Sequence, residues 1–151
     1  MRILSLDLGT HTGWAWNRGK DIKSGTENFR GSKKDERGLI YGLFYNWLDA
    51  MIFTNQIDMV AYEMPHNRGG APTEMLNTFA GLVQMRCYAW QIPHKVVHSL
   101  TIKKFITGNG RANKTDVMKA VKKRYPKIKI IDDNQSDAIA LLEYMMGEIS
   151  G

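Results

Sequence analysis

The chain has 151 residues, 43% of them hydrophobic and 24% charged, which is typical of one globular domain with a sizeable core. The sequence contains no run of about 18 apolar residues, the length that would predict a membrane span. Cys87 is the single cysteine, which excludes an internal disulfide and a cysteine-based zinc site and suits a reducing cytoplasm. The formal net charge of +6 points weakly to a polyanionic partner such as a nucleic acid.

Residues 3–16, ILSLDLGTHTGWAW, predict a strand, a tight turn and a second strand. The apolar first strand ends on Asp7, and Gly9 and Thr10 supply the turn. A carboxylate late in a buried strand is costly unless a metal, a cation or several hydrogen-bond donors compensate it. Asp7 is therefore either a ligand held at the strand end beside other carboxylates or a residue that initiates the turn.

The next predicted elements are a strand, a helix and another strand. A polar, loosely alternating pattern predicts a third strand at residues 20–29, and an apolar stripe from Leu39 to Met51 predicts a helix that packs on the sheet. A short apolar strand at residues 57–63 then ends on a second carboxylate, Glu63, and so repeats the pattern of the first strand.

A flexible polar loop at residues 64–72 comes next, followed by a helix at residues 73–90 that Thr73 can cap. Residues 93–98 predict a fifth strand. Five strands with a helix that crosses over between parallel candidates indicate an α/β fold, with a central mixed sheet flanked by helices.

Two further helices are predicted after the fifth strand. Ser99 is a candidate cap for a short helix, and Asn113 begins a longer helix after a glycine-rich loop at residues 107–111. Residues 127–131 are compatible with an extended segment.

The last predicted element is a helix at residues 134–146, which Asp133 caps and which carries Asp137 in its first turn. Residues 131–148 contain five acids and no base, whereas residues 95–129 contain eleven lysines or arginines and one acid. A basic segment beside an acidic one suits a protein that binds phosphates and also binds a metal ion. A solvated, charged helix face is the alternative.

Carboxylates thus occur at three places: Asp7, Glu63 and the group Asp132, Asp133 and Asp137. Two parallel strands can bring their ends together, and the final helix can reach the same point. Crowded carboxylates repel one another unless cations neutralise them, and hard oxygen ligands suit Mg²⁺ or Mn²⁺. Two such ions activate a water and stabilise the leaving 3′ oxygen of a phosphodiester. The alternatives are that Asp133 only caps its helix and that Glu63 lies in solvent.

Over nearly its whole length the chain resembles the RuvC-type Holliday junction resolvases, which have the RNase H-like fold, and in particular a compact bacteriophage member. The matching segments are ILSLDLGTHTGWAW, VAYEMPHN, NTFAGLVQMR, IKKFITGNGRANKTDVMKAV and DDNQSDAIALLEY. In these segments Asp7, Glu63 and Asp137 occupy the positions of the family's catalytic acids. Lys103 and Lys114 occupy the positions of its DNA-contacting lysines.

The sequence departs from the family pattern at two places. The family has Asp or His three residues before its final catalytic Asp, and this chain has Asn134 there. Asp133 is predicted to take that fourth role, with Asn134 as the rival. In the loop where the family often carries an aromatic residue that wedges into the junction, this chain has His66, Asn67 and Arg68, and His66 either stacks on a base or lies in solvent.

The resemblance implies one RNase H-like domain, residues 1–151, that resolves four-way or other branched DNA by two-metal hydrolysis. It implies Mg²⁺ as cofactor, with Mn²⁺ as a substitute, and a homodimer whose contact face is the helix at residues 73–90. It also implies a cytoplasmic location, in the bacterial host if a phage encodes the chain.

The same resemblance assigns roles to particular side chains. The metal ligands and catalytic residues are Asp7, Glu63, Asp133 and Asp137. Lys103, Lys114 and Arg111 grip phosphates, and His66, Asn67 and Arg68 probe the centre of the junction.

Other classes of protein share parts of this pattern. The YqgF-like RNA-processing nucleases also begin with a strand similar to LDLGT but lack the acidic strand end of VAYEMPHN. Sugar kinases and actin-like ATPases need two domains, for which 151 residues are too few. A non-catalytic binder of branched nucleic acid would keep the basic segment without needing Glu63 or Asp137.

Overall fold

The computed structural model describes residues 1–30, 36–66 and 70–151. Its elements, in chain order, are β1 (Ile3–Asp7), β2 (His11–Arg18), β3 (Asp21–Asn28), α1 (Arg37–Asn55), β4 (Met59–Glu63), α2 (Gly70–Trp90), β5 (His94–Val97), α3 (Ser99–Thr107), α4 (Lys114–Arg124) and α5 (Asp133–Ser150). Within these ranges, no helix is both long and apolar enough to cross a membrane.

The five strands form one mixed sheet in the order β3-β2-β1-β4-β5. The strands β1, β2 and β3 pair antiparallel, whereas β4 runs parallel to β1 and β5 runs parallel to β4. The long α1 and α2 make the crossovers that parallel pairing requires. The predicted five-stranded mixed α/β sheet is confirmed.

The sheet separates two hydrophobic cores, because successive side chains of a strand point to opposite faces. On one face, Leu4 and Leu6 of β1 pack with Val60 and Tyr62 of β4 against α1 and α2. On the other face, Ile3 and the alternate residues of the central strands pack against α3, α4 and α5. Both faces of β1 are therefore covered, which accounts for its continuous apolar sequence.

Three predicted helix caps are wrong. The cap of α3 is His98, whose Nδ1 accepts a hydrogen bond from the amide of Leu100 at 3.2 Å, and Ser99 is already the first helical residue. The cap of α5 is Asp132 rather than Asp133. Helix α2 begins at Gly70, so Thr73 lies inside the helix.

Residues 127–131 form turns and irregular backbone rather than the extended segment that the sequence suggested. The backbone of this segment forms hydrogen bonds with the buried side chain of Gln135 instead of with a neighbouring strand. Its carbonyl oxygen accepts from the amide of Ile131 at 2.8 Å, and its amide nitrogen donates to the carbonyl of Lys129 at 3.2 Å. Asn113, in contrast, caps α4 as predicted, in a reciprocal capping box with Asp116.

Candidate active site

The register of β1 and β4 places two carboxylates side by side. Leu6 pairs with Tyr62, and Asp7 and Glu63 are the next residues of their respective strands. Because alternate residues share a face, Asp7 lies on the same face as Ile3, which packs with the α5 core. Both carboxylates therefore lie at the end of the parallel strands, on the side of the sheet that α5 covers.

Gly13 allows α5 to approach the same strand end. It pairs with Asp7 across β1 and β2, and a Cβ atom built on it would lie 1.8 Å from the carbonyl oxygen of Asn134. No side chain fits between the two backbones, so the first turn of α5 lies directly on β2. One turn further along the helix, Asp137 reaches the cavity that Asp7 lines.

Polar contacts with β3 fix the start of α5. The hydroxyl of Thr26 donates to the Oδ1 atom of Asp132 at 2.7 Å, and that oxygen also accepts from the amide of Gln135 at 2.8 Å. The side-chain amide of Gln135, which is 3% exposed, also donates to the hydroxyl of Ser24 at 3.1 Å. The cap of α5 is thus part of a network that anchors this helix to the sheet.

A cavity of about 490 Å³ opens at this strand end. Asp7, Glu63 and Asp137 line it together with Lys103 and Lys114. Asn134, His66, His11 and Ser99 complete most of its polar wall. Three carboxylates from β1, β4 and α5 and two lysines from α3 and α4 therefore meet in one concave site.

Burial and mutual repulsion raise the pKa values of these carboxyl groups. For Asp7 the pKa lies well above its usual value, chiefly because of desolvation and then because of the charges of Asp137 and Glu63. For Asp137, desolvation followed by the charges of Glu63 and Asp133 raises the pKa to about 7. Desolvation also raises the pKa of Glu63, although His66 and Lys103 oppose that effect. Without a cation, the site cannot readily carry all of its negative charge at neutral pH.

Two basic groups touch the acidic cluster directly. The Nζ atom of Lys114 lies 2.8 Å from Oδ2 of Asp133, and the Nε2 atom of His66 lies 3.4 Å from Oε1 of Glu63. Asp133 is not among the residues that line the cavity, although it lies next to Asn134, which does. The acid predicted as fourth ligand is therefore paired with a lysine at the edge of the site.

Three of the residues predicted to contact DNA are not among the described residues that line the cavity. Arg111 lines a separate depression with Lys104 and Leu100 and is not among the residues that line the cavity with the carboxylates. Asn67 and Arg68 fall outside the described residues.

The sequence did not assign His11 or Ser99 to the site, although both line the cavity. His11 opens β2 beside the end of β1, and Ser99 follows β5, whose Val97 pairs with Glu63. Each is a polar residue at an element boundary next to a strand-end carboxylate. That position is a signal that could have identified both.

The donor set suits a hard divalent cation, although the ion would have to draw the carboxylates closer. Among the described residues, no three Asp, Glu, His or Cys side chains are arranged tightly enough to hold an ion as they stand. Asp7, Glu63 and Asp137 nevertheless offer only oxygen ligands, and burial raises the pKa of each carboxyl group, an effect that a bound cation would oppose. These three residues are the ones that would hold such an ion in the cavity.

No family model matches the sequence, and no curated protein matches it. Solved structures do match. Thermus thermophilus RuvC in complex with a Holliday junction substrate is 18% identical, with a TM-score of 0.79, over 97% of this chain and 96% of that one. The yeast mitochondrial Holliday junction resolvase Ydc2 is 11% identical, with a TM-score of 0.66, over 95% and 77% of the two chains. The Fowlpox virus resolvase in complex with Holliday junction DNA is 14% identical, with a TM-score of 0.57, over the whole of both chains.

The chain is thus similar in structure to RuvC and to other Holliday junction resolvases, and it has their RNase H-like α/β fold. The fold class predicted from the sequence is confirmed. An origin in a bacteriophage stays a prediction.

Proposed function

We propose that this chain is a metal-dependent, structure-selective endodeoxyribonuclease that resolves four-way or other branched DNA junctions. One observation carries the proposal: Asp7, Glu63 and Asp137 meet in one cavity beside Lys103 and Lys114. The fold supports it, because two of the similar structures are resolvases bound to Holliday junction DNA. A protein that only binds branched nucleic acid would not require three mutually repelling carboxylates in one cavity.

In this proposal the carboxylates of Asp7, Glu63 and Asp137 hold Mg²⁺, for which Mn²⁺ can substitute. A fourth oxygen comes from the first turn of α5, from Asp133 or Asn134. When bound, two such ions activate a water and stabilise the leaving 3′ oxygen of the scissile phosphodiester. No covalent bond between enzyme and DNA is required.

The basic side chains bind and orient the DNA. Lys103 and Lys114, at the cavity, bind DNA phosphates, and Lys114 also stabilises the charge that develops at the scissile phosphate. Arg111 contacts the DNA backbone further out. His66, Asn67 and Arg68 are the residues proposed to probe the centre of the junction.

A homodimer matches the two-fold symmetry of a four-way junction, because two active sites can then make paired nicks. The exposed side of α2 is the proposed contact face. It carries Gly81, where an added Cβ would meet nothing within 4 Å, together with the exposed side chains of Met85 and Tyr88. The site of action in this proposal is the cytoplasm, that of the bacterial host if the gene belongs to a phage.

A substrate panel tests the proposal. A synthetic four-way DNA junction, a linear duplex, a flap and a structured RNA are incubated with the protein in Mg²⁺, Mn²⁺ or EDTA. We expect cleavage of the junction in either metal, at least tenfold faster than of the duplex, and none in EDTA. Preferential cleavage of the RNA would favour an RNA-processing nuclease, and metal-dependent binding without any cleavage would favour a non-catalytic binder.

A further inference from the structure

The first residues of α4 and α5 face each other across the edge of the cavity. Lys114 opens α4 and Asp133 opens α5, and their side chains form an ion pair of 2.8 Å. Both helix starts are fixed by caps: Asn113 with Asp116 in α4, and Asp132 in α5. The two charges are thus presented to each other by rigid elements rather than by loops.

The carboxylate of Asp133 already has a partner in this arrangement. Its Oδ2 atom accepts from Nζ of Lys114 at 2.8 Å. Asp133 also does not line the cavity. Using it as a metal ligand would require the ion pair to break and the side chain to turn inward.

Asn134 has the opposite environment. It lines the cavity with the three carboxylates, and its backbone lies against Gly13 so closely that an added Cβ would be 1.8 Å from the Asn134 carbonyl oxygen. Its amide oxygen is a hard, neutral donor of the kind that divalent cations accept. The close packing on β2 leaves the start of α5 little freedom to rotate and exchange the two residues.

We propose that Asp133 is a positioning residue that holds Lys114 beside the cavity, and that the fourth oxygen facing the divalent cation comes from the amide of Asn134. This inference rests on the proposed function and deepens it. The site then carries three carboxylates rather than four, so it binds divalent cations more weakly than a site with a fourth carboxylate would. Lys114, in turn, is held in one place from which it can meet a phosphate.

Metal titration without DNA tests the fourth donor. Calorimetric affinities for Mg²⁺ and Mn²⁺ are measured for the wild-type protein and for D133N, N134A and N134D, with circular dichroism to verify folding. We expect N134D to bind roughly tenfold more tightly, because site affinity follows the ligand charge, N134A to bind more weakly, and D133N to stay within about twofold of wild type. A large loss in D133N with no change in N134A would overturn the proposal, as would a wild-type chain that binds neither ion.

A double-mutant cycle tests the positioning role of Asp133. Single-turnover cleavage of a four-way junction at saturating Mg²⁺ is compared for K114Q, D133N and the double variant, with D133E as the conservative control. If Asp133 acts through Lys114, D133N slows cleavage, D133E restores much of the rate, and the double variant is no slower than K114Q. Independent, multiplicative losses would overturn this role.

The two measurements also separate this inference from the proposed function. A wild-type protein that binds Mg²⁺ but cuts no DNA would contradict the proposed function, while the titration of D133N and N134A would still assign the fourth donor.

Discussion

At the scale of single residues, the carboxyl groups of the cavity destabilise the metal-free protein. The pKa of Asp137 is raised from 3.8 to about 7 in the folded chain. Between these two values the folded state binds more protons than the unfolded state, so the free energy of unfolding falls as the pH rises. One pKa unit corresponds to about 1.4 kcal/mol, so the loss is at most about 4 kcal/mol, and solvent that enters the cavity reduces it.

The metal-free protein is therefore expected to melt at a lower temperature at pH 8 than at pH 5. Asp137→Asn removes the titrating group, so this variant should show a flatter pH dependence and a higher Tm than wild type at pH 8. Mg²⁺ should raise the Tm of wild type at pH 8 much more than that of the variant. Thermal melts in EDTA and in Mg²⁺ measure this, and an equally steep pH dependence in both proteins would contradict the assigned pKa.

Residue patterns located the three cavity carboxylates and led to the prediction of Asp133 over Asn134 as the fourth donor, a choice for which the sequence holds no decisive signal. Asp7 and Glu63 end apolar strands, which is a local signal, and Asp137 lies one turn into the last helix. The neighbours at positions 133 and 134 differ by about 100° round that helix. Which of them faces the cavity depends on how α5 packs on Gly13, a contact between segments far apart in the sequence.

At the scale of elements, the close contact of α5 with β2 determines where Asp137 lies. Gly13→Ala would place a methyl group 1.8 Å from the Asn134 carbonyl oxygen, so the start of α5 must shift. We expect a loss of about 1–3 kcal/mol in the free energy of unfolding. We also expect a loss of at least about 100-fold in junction cleavage, because a 1 Å displacement of catalytic groups is enough for that.

Gly42→Ala is the matched control, because Gly42 lies at an exposed position of α1 and an added Cβ would meet nothing within 4 Å there. It should stabilise the protein by about 0.5–1 kcal/mol and leave cleavage unchanged. Urea unfolding and initial cleavage rates compare the two variants. Full activity in Gly13→Ala would contradict the role given to this contact.

The elements themselves were predictable, whereas their ends were often not. Periodicity located all five strands and helices α1, α2, α4 and α5, because burial of alternating or helical stripes is a property of the sequence. The caps were decided by contacts between distant segments. Asp132, which caps α5, binds Thr26 of β3 through its carboxylate, and residues 127–131 form no strand but bind the side chain of Gln135 through their backbone.

At the scale of the whole molecule, the outer face of α2 is expected to join two copies of the chain. Tyr88 is 87% exposed on this face, and a charge there would have to be desolvated in a dimer. We expect Tyr88→Glu to shift the protein towards monomer in light scattering. It should also reduce paired nicking of a junction more than it reduces single nicking.

Ile131→Glu is the control for this experiment, since Ile131 is an apolar side chain 77% exposed between α4 and α5, which pack on the opposite face of the sheet from α2. It should leave the oligomeric state as in wild type. A monomeric wild-type protein, or equal effects of the two substitutions, would contradict α2 as the contact face.

The central claim is that the protein cuts branched DNA with a divalent cation that Asp7, Glu63 and Asp137 hold. The most direct test compares wild type with Asp7→Asn on a four-way junction labelled on each strand, with cleavage mapped in Mg²⁺ and binding measured in Ca²⁺. We predict symmetrically placed nicks by wild type, and for Asp7→Asn at least a 1000-fold slower reaction, with junction affinity within about threefold of wild type. Normal cleavage by Asp7→Asn, or no cleavage of the junction by wild type with metal bound, would contradict the claim.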